Sequence, residues 1–86
     1  MEADDGKPFI LKWSRTLPDA NDFTARDPAH PTAFARVYLQ PSHPDPSLRW
    51  FWTVSGTHQL GLGNEGTARA AARKAEEAYL AWRDKQ

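Results

Sequence analysis

The residues with the most obvious chemical potential form a glycine pattern, Gly61-Leu62-Gly63-Asn64-Glu65-Gly66, which fits G-x-G-x-x-G. In a dinucleotide-binding unit such glycines let the backbone approach a pyrophosphate at a helix N-terminus. That unit also needs a further parallel strand after the helix, and no strand pattern follows it in these 86 residues. Glu65 would place negative charge where the phosphate sits. The motif therefore reads as a glycine-rich turn into a helix, with no cofactor. An anion at the amides of Thr67–Arg69 is the one ligand it leaves open.

His30, His43 and His58 are far apart and fall in expected loops, without the i, i+3 or i, i+4 partner of a helical metal site. They read as exposed loop histidines, and no metal is expected. Ser55 and His58 are close in sequence, but no acid can be placed to orient the histidine, so a hydrolytic site is not expected. Asp19, Asp22 and Asp27 fit neither a calcium loop nor a carboxylate pair and read as turn caps. No nucleophile, metal set or carboxylate pair can be assembled, so the chain is not expected to be an enzyme.

The positioning elements follow from periodicity and turn signals. Pro8–Thr16 alternates Phe9, Leu11 and Trp13 with Ile10, Lys12 and Ser14, a strand pattern. Residues 18–33 are rich in Asp, Asn and Pro and read as a long connection, with room for a short strand at Phe23-Thr24-Ala25. Phe34–Gln40 is a second strand, ended by Pro41. Residues 41–47 carry three prolines and form a stiff connection. Leu48–Ser55, β-branched and aromatic, is the third strand. After the glycine-rich segment 56–66, Thr67 is a suitable N-cap. Seven alanines between Ala68 and Ala81 favour a helix running close to residue 86. Ala68, Ala71, Ala72, Ala75, Ala78, Tyr79 and Trp82 make one stripe on it.

The expected fold is α+β: a three-stranded antiparallel sheet packed against one C-terminal helix, in the order β-β-β-α, over a single domain at residues 8–86, with residues 1–7 as a flexible N-terminus. Alanines on the helix permit close approach, and Trp50, Trp52 and Val54 fill the space. Period two then puts Arg49, Phe51, Thr53 and Ser55, with Phe34, Arg36, Tyr38 and Gln40, on the opposite face. The pattern separates the two faces but does not fix which one is buried; the tryptophan face is taken as inward, and the reverse assignment stays open. Arg36, Tyr38, Arg49 and Phe51 are the candidate partner-binding residues. Arginine beside aromatic rings suits a protein interface and equally base stacking with phosphate contact. Residues 18–33 folding over this face, or a homodimer, would also cover it.

Composition sets bounds. At 86 residues the chain forms one small domain that hides about 60–65% of its unfolded surface. Four tryptophans, two tyrosines and four phenylalanines supply buried area. Cysteine is absent, which excludes disulfides and cysteine-based zinc sites and suits a cytoplasmic bacterial or phage protein. Eleven basic residues balance eleven acidic ones. That balance argues against a strong sequence-independent nucleic-acid binder without excluding a local basic patch. No apolar run approaches the ~20 residues of a membrane span. The start, Met1-Glu2-Ala3-Asp4-Asp5-Gly6, is not a signal peptide.

From Phe34 to Trp82 the chain resembles a group of short uncharacterised bacterial β-β-β-α proteins. The resemblance rests on the strand Ala35-Arg36-Val37-Tyr38, the W-x-W strand Trp50-Phe51-Trp52, and Gly66-Thr67 entering an alanine-rich helix. It implies the fold and no activity. A weaker likeness is to β-β-β-α DNA-binding domains, the plant AP2 type and the arm-binding domains of phage-type integrases. In those, a three-stranded sheet enters the major groove. That likeness implies sheet-face roles for Arg36, Tyr38, Arg49 and Phe51. The chain is fainter still in its likeness to small HicB-type antitoxins. The leading expectation is a non-enzymatic binding or regulatory module using the sheet face for a protein partner or self-association, with DNA binding through the sheet as the alternative.

Overall fold

The computed structural model describes residues 8–16, 18 and 20–85; the flexible N-terminus expected at 1–7 lies outside them. Five strands form one antiparallel sheet in chain order: β1 (Lys12–Arg15), β2 (Asp22–Asp27), β3 (His30–Leu39), β4 (Trp50–Ser55) and β5 (Gln59–Glu65). Helix α1 (Ala68–Arg83) follows and packs on β3, β4 and β5. The α+β class and the C-terminal helix are as expected. The sheet has five strands and not three: the short strand allowed for at Phe23-Thr24-Ala25 is the middle of a six-residue strand, and the glycine-rich segment read as a turn is also a strand.

The first is β2. Its turn-forming aspartates lie at the strand's ends, while Phe23 and Ala25 alternate with Asp22, Thr24 and Arg26 across it. It pairs with β1 (Trp13 opposite Ala25) and with β3 (Thr24 opposite Arg36), with a register shift between Ala25 and Asp27. Asp27 closes the β2–β3 hairpin by accepting a hydrogen bond from the Ala29 amide through Oδ1 at 2.9 Å. Pro31 lies in β3 ahead of Phe34, where pairing with β4 begins, so its missing N–H breaks no bond on that side.

The second is β5. Gly61 and Gly63 point towards the helix, where the Trp52 indole crosses them. A Cβ at Gly63 would lie 2.8 Å from Trp52 Nε1, and one at Gly61 would lie 3.2 Å from both Ala78 Cβ and Trp52 Cζ3. The glycines of the G-x-G pattern thus make room for an indole between strand and helix. A register shift puts Gln59 opposite Ser55 and Gly61 opposite Val54, leaving Leu60 as the extra residue. Leu60 packs against the core with Trp82.

Thr67 caps α1 by accepting the Ala70 amide at 3.0 Å. The helix buries Ala71, Ala72, Ala75, Glu76 and Tyr79. Two adjoining clusters make the core. One joins Leu11, Ala25, Ala33, Ala35, Val54, Ala75 and Tyr79; the other joins Val37, Ala71 and Ala72, with Trp50 and Trp52 against it. The alanine stripe does meet the tryptophan face.

Glu76, which is not among the stripe residues, is only 4% exposed. Its Oε2 accepts from the Leu11 amide at 3.1 Å and from Trp13 Nε1 at 2.9 Å. This carboxylate fastens the first strand to the helix, which shares no sheet hydrogen bonds with it.

Candidate functional site

Because α1 lies on one face of the sheet, the other face carries Lys12 and Ser14 from β1, Asp22, Thr24 and Arg26 from β2, and Phe34, Arg36 and Tyr38 from β3. Phe51 and Thr53 from β4 and Leu62 and Asn64 from β5 complete it. Among the described residues, no element lies over this face. Residues 18–33, one expected cover for it, contribute β2 and the start of β3 to the sheet itself.

Three of the four candidate residues come together. Arg36 is opposite Thr53, and Tyr38 is opposite Phe51. The Arg36 guanidinium stacks 4.4 Å from the Tyr38 ring centroid, and the Tyr38 and Phe51 rings are 5.3 Å apart and tilted by 57°. Arg36 also forks onto Asp22, with Nε 3.1 Å from Oδ1 and Nη2 2.6 Å from Oδ2. Asp22 also accepts from the Thr16 hydroxyl at 3.0 Å. The Arg36 hydrogen bond, aided by Thr16 and by the arginine's charge, holds the Asp22 carboxyl below its ordinary value against the opposing effect of burial. The same pair raises Arg36.

Arg49 lies outside the strands, just ahead of β4, and its carbonyl accepts from the Gln40 amide at 2.7 Å. β4 starts at Trp50, and Arg49 ends a 3₁₀ turn over Pro46–Leu48 with α-helical φ and ψ of −83° and −9°. Asp45 caps that turn by accepting from the Ser47 amide and hydroxyl at 3.0 and 2.7 Å. The Arg49 side chain donates to the His43 carbonyl at 3.1 Å. The alternation through Leu48–Ser55 suggested a longer strand, but proline and the aspartate cap win the first two residues.

Three contributors were not singled out as candidates. Asp22 neutralises Arg36. Arg26 stacks 4.6 Å from the Phe34 centroid. Leu62 is 58% exposed, the most exposed of the large apolar side chains described. The polar alternation Asp22, Thr24, Arg26 was the available signal for the first two. Leu62 was hidden by the reading of its segment as a turn. At one end of the face, Asn64 Nδ2 donates to Gln40 Oε1 and to the Leu48 carbonyl at 2.8 and 2.9 Å. At the other, Gln59 Nε2 donates to Thr53 Oγ1 at 2.7 Å.

The histidines stand apart from one another, and His43 lines a hollow with Tyr38 and Gln40 at the edge of the face. His30 does not lie in an exposed loop: it opens β3 and packs edge-on against Trp82 and Tyr79, at 5.5 and 6.3 Å between centroids. His43 Nδ1 accepts from the Asp45 amide at 3.0 Å, and the His58 ring is 3.3 Å from Thr57 Oγ1. The chemistry available on the sheet face is stacking, apolar contact and hydrogen bonding around one internal ion pair. Comparison with protein-family models, with curated proteins and with solved structures gives no match to this chain.

Proposed function

We propose that the chain is a non-enzymatic binding or regulatory module that holds a protein partner, or a second copy of itself, on the open face of its sheet. The observation that carries this reading is the uncovered Tyr38–Phe51 ring pair beside a guanidinium already neutralised by Asp22. Burying that pair of charges together requires no counter-ion from the partner, while the rings and Leu62 offer apolar area. The test places a photo-crosslinking residue at position 62 and, separately, at position 74 on the exposed side of the helix. Crosslinks from 62 that disappear in Tyr38→Ser/Phe51→Ser are expected. Crosslinks from 74 alone would overturn the reading. Sedimentation across a concentration series separates a second copy from a different partner.

A second reading, DNA binding through the same face, draws on Lys12, Arg26 and Arg36, which present cations across three neighbouring strands. It predicts duplex binding at low salt that is lost in Arg26→Glu. No binding at low salt would remove it.

A further inference from the structure

On the helix side of the sheet, away from the face just described, a groove of about 440 Å³ opens between the start of α1 and the ends of β1, β2 and β3. It is lined by the rings of Phe9, Trp13 and Phe23, by the aliphatic Val37, Ala68 and Ala72, and by Arg15 and Arg69. The volume lies within the range of about 300–1,000 Å³ typical of small-molecule sites. The space exists because the first turns of the helix offer methyl groups at 68 and 72 where larger side chains would fill it.

We propose that this groove binds a small aromatic acid, a flat ring system of about two fused rings carrying a carboxylate or sulfonate. The rings select a ring. Three aromatic side chains beside aliphatic ones favour offset or edge-on contact with a flat ligand over a flexible chain. The arginines select the charge: among the described residues, the charged groups lining the groove are both guanidiniums. Arg15 lies 4.9 Å from the Phe23 centroid and donates through Nη1 to the Ala20 carbonyl at 2.9 Å. A guanidinium has five N–H donors in a fork that matches a carboxylate, so this bond does not exhaust it. Arg69 lies 4.8 Å from the Phe9 centroid on the helix side and has interactions of its own, so the charge selection is carried by Arg15. The Trp13 N–H is already given to Glu76, so the indole contributes only its face. A ligand's polar group is therefore directed to Arg15 and its ring to the aromatic lining.

The test titrates the full chain with naphthalene-2-sulfonate, followed by calorimetry and by amide chemical shifts. The expected result is saturable one-site binding, with shifts centred on Phe23, Val37 and Ala68–Ala72. Neutral 2-naphthalenemethanol and aliphatic octanoate should each bind about tenfold more weakly or worse, as should naphthalene-2-sulfonate to Arg15→Gln. Ala68→Leu, checked for an unchanged melting temperature, should abolish binding, and Arg26→Gln on the opposite face should leave it intact. Absence of saturable binding at millimolar ligand, equal affinity for the neutral or aliphatic compound, shifts centred on the sheet face, or full binding by folded Ala68→Leu would each overturn the proposal.

Discussion

Two side chains on the helix do work that their residue types disguise. Glu76 stands among surface charges in the sequence, yet its carboxylate is the acceptor for a buried amide and an indole N–H from the first strand. Glu76→Ala leaves both donors without an acceptor and should cost about 2–4 kcal/mol in chemical denaturation. Glu76→Gln keeps one oxygen and should cost less than half as much. Equal losses in the two variants would mean that packing, not acceptance, is the role of this position. Tyr79 is 1% exposed, and its hydroxyl donates to Asp27 Oδ2 in the β2–β3 hairpin. Burial, with the Asp27 hydrogen bond and charge, pushes the phenol up to about 12. Its usual value is near 10. The folded chain therefore holds this proton more tightly than the unfolded chain. The stabilisation is complete below pH 10 and is lost as pH rises from 10 towards 12. Asp27 is shifted the opposite way, first by the Tyr79 hydroxyl and then by the Ala29 amide, so its contribution is present above its ordinary value of 3.8 and fades as pH falls below it. Melting temperature across pH should show an alkaline fall over 10–12 that is absent in Tyr79→Phe.

At the scale of elements, legibility in the sequence depended on whether one signal dominated. The helix was legible because capping, alanine content and apolar spacing agree, and its observed start at Ala68 follows the Thr67 cap. Strands β3 and β4 were legible through β-branched and aromatic alternation. β2 and β5 were obscured because their residues are those that turns also use. In β2 the aspartates at the ends outweighed a four-residue alternation. In β5 the glycines belong to a strand only because Trp52, two strand positions from Trp50, needs the space above them, and that need is tertiary. The same limit applies to the site: Arg36, Tyr38 and Phe51 were readable by period two, whereas the Asp22 partner required a strand that local signals concealed. Gly63→Ala puts a methyl group 2.8 Å from the Trp52 ring nitrogen, so the bulky indole must shift, at a cost of about 1–3 kcal/mol. Leu62→Ala, one residue away on the open face, should change stability by less than about 0.5 kcal/mol. If Gly63→Ala were as well tolerated in urea unfolding as Leu62→Ala, the glycines would be there for some other reason.

For the whole molecule, the distribution of charge decides between kinds of partner more firmly than its zero sum. Among the described strand residues, three cations, Lys12, Arg26 and Arg36, share the open face with one acid, Asp22, and that acid is bound to Arg36. A duplex laid on this face could therefore neutralise at most three phosphates, and fewer if the Arg36–Asp22 pair stays closed. Counterion release then sets a ceiling: the slope of log K against log salt should be no steeper than about −2.7, and nearer −1.8 with Arg36 kept by Asp22. A steeper slope would require cations from elsewhere, such as Arg69 and Arg73 near the helix start, and would move the contact off the sheet. A protein partner leads to a different expectation, because apolar contact at Tyr38, Phe51 and Leu62 is insensitive to ionic strength and the internal ion pair needs no release. Asp22→Asn separates the two readings in a single variant. Freed of its counter-ion, Arg36 should tighten DNA binding and steepen its salt slope by about one phosphate. Association with a protein should weaken, since the guanidinium would then enter the interface unpaired. Measuring both affinities for Asp22→Asn and for the unaltered chain at two salt concentrations tests which surface chemistry the sheet was built to use.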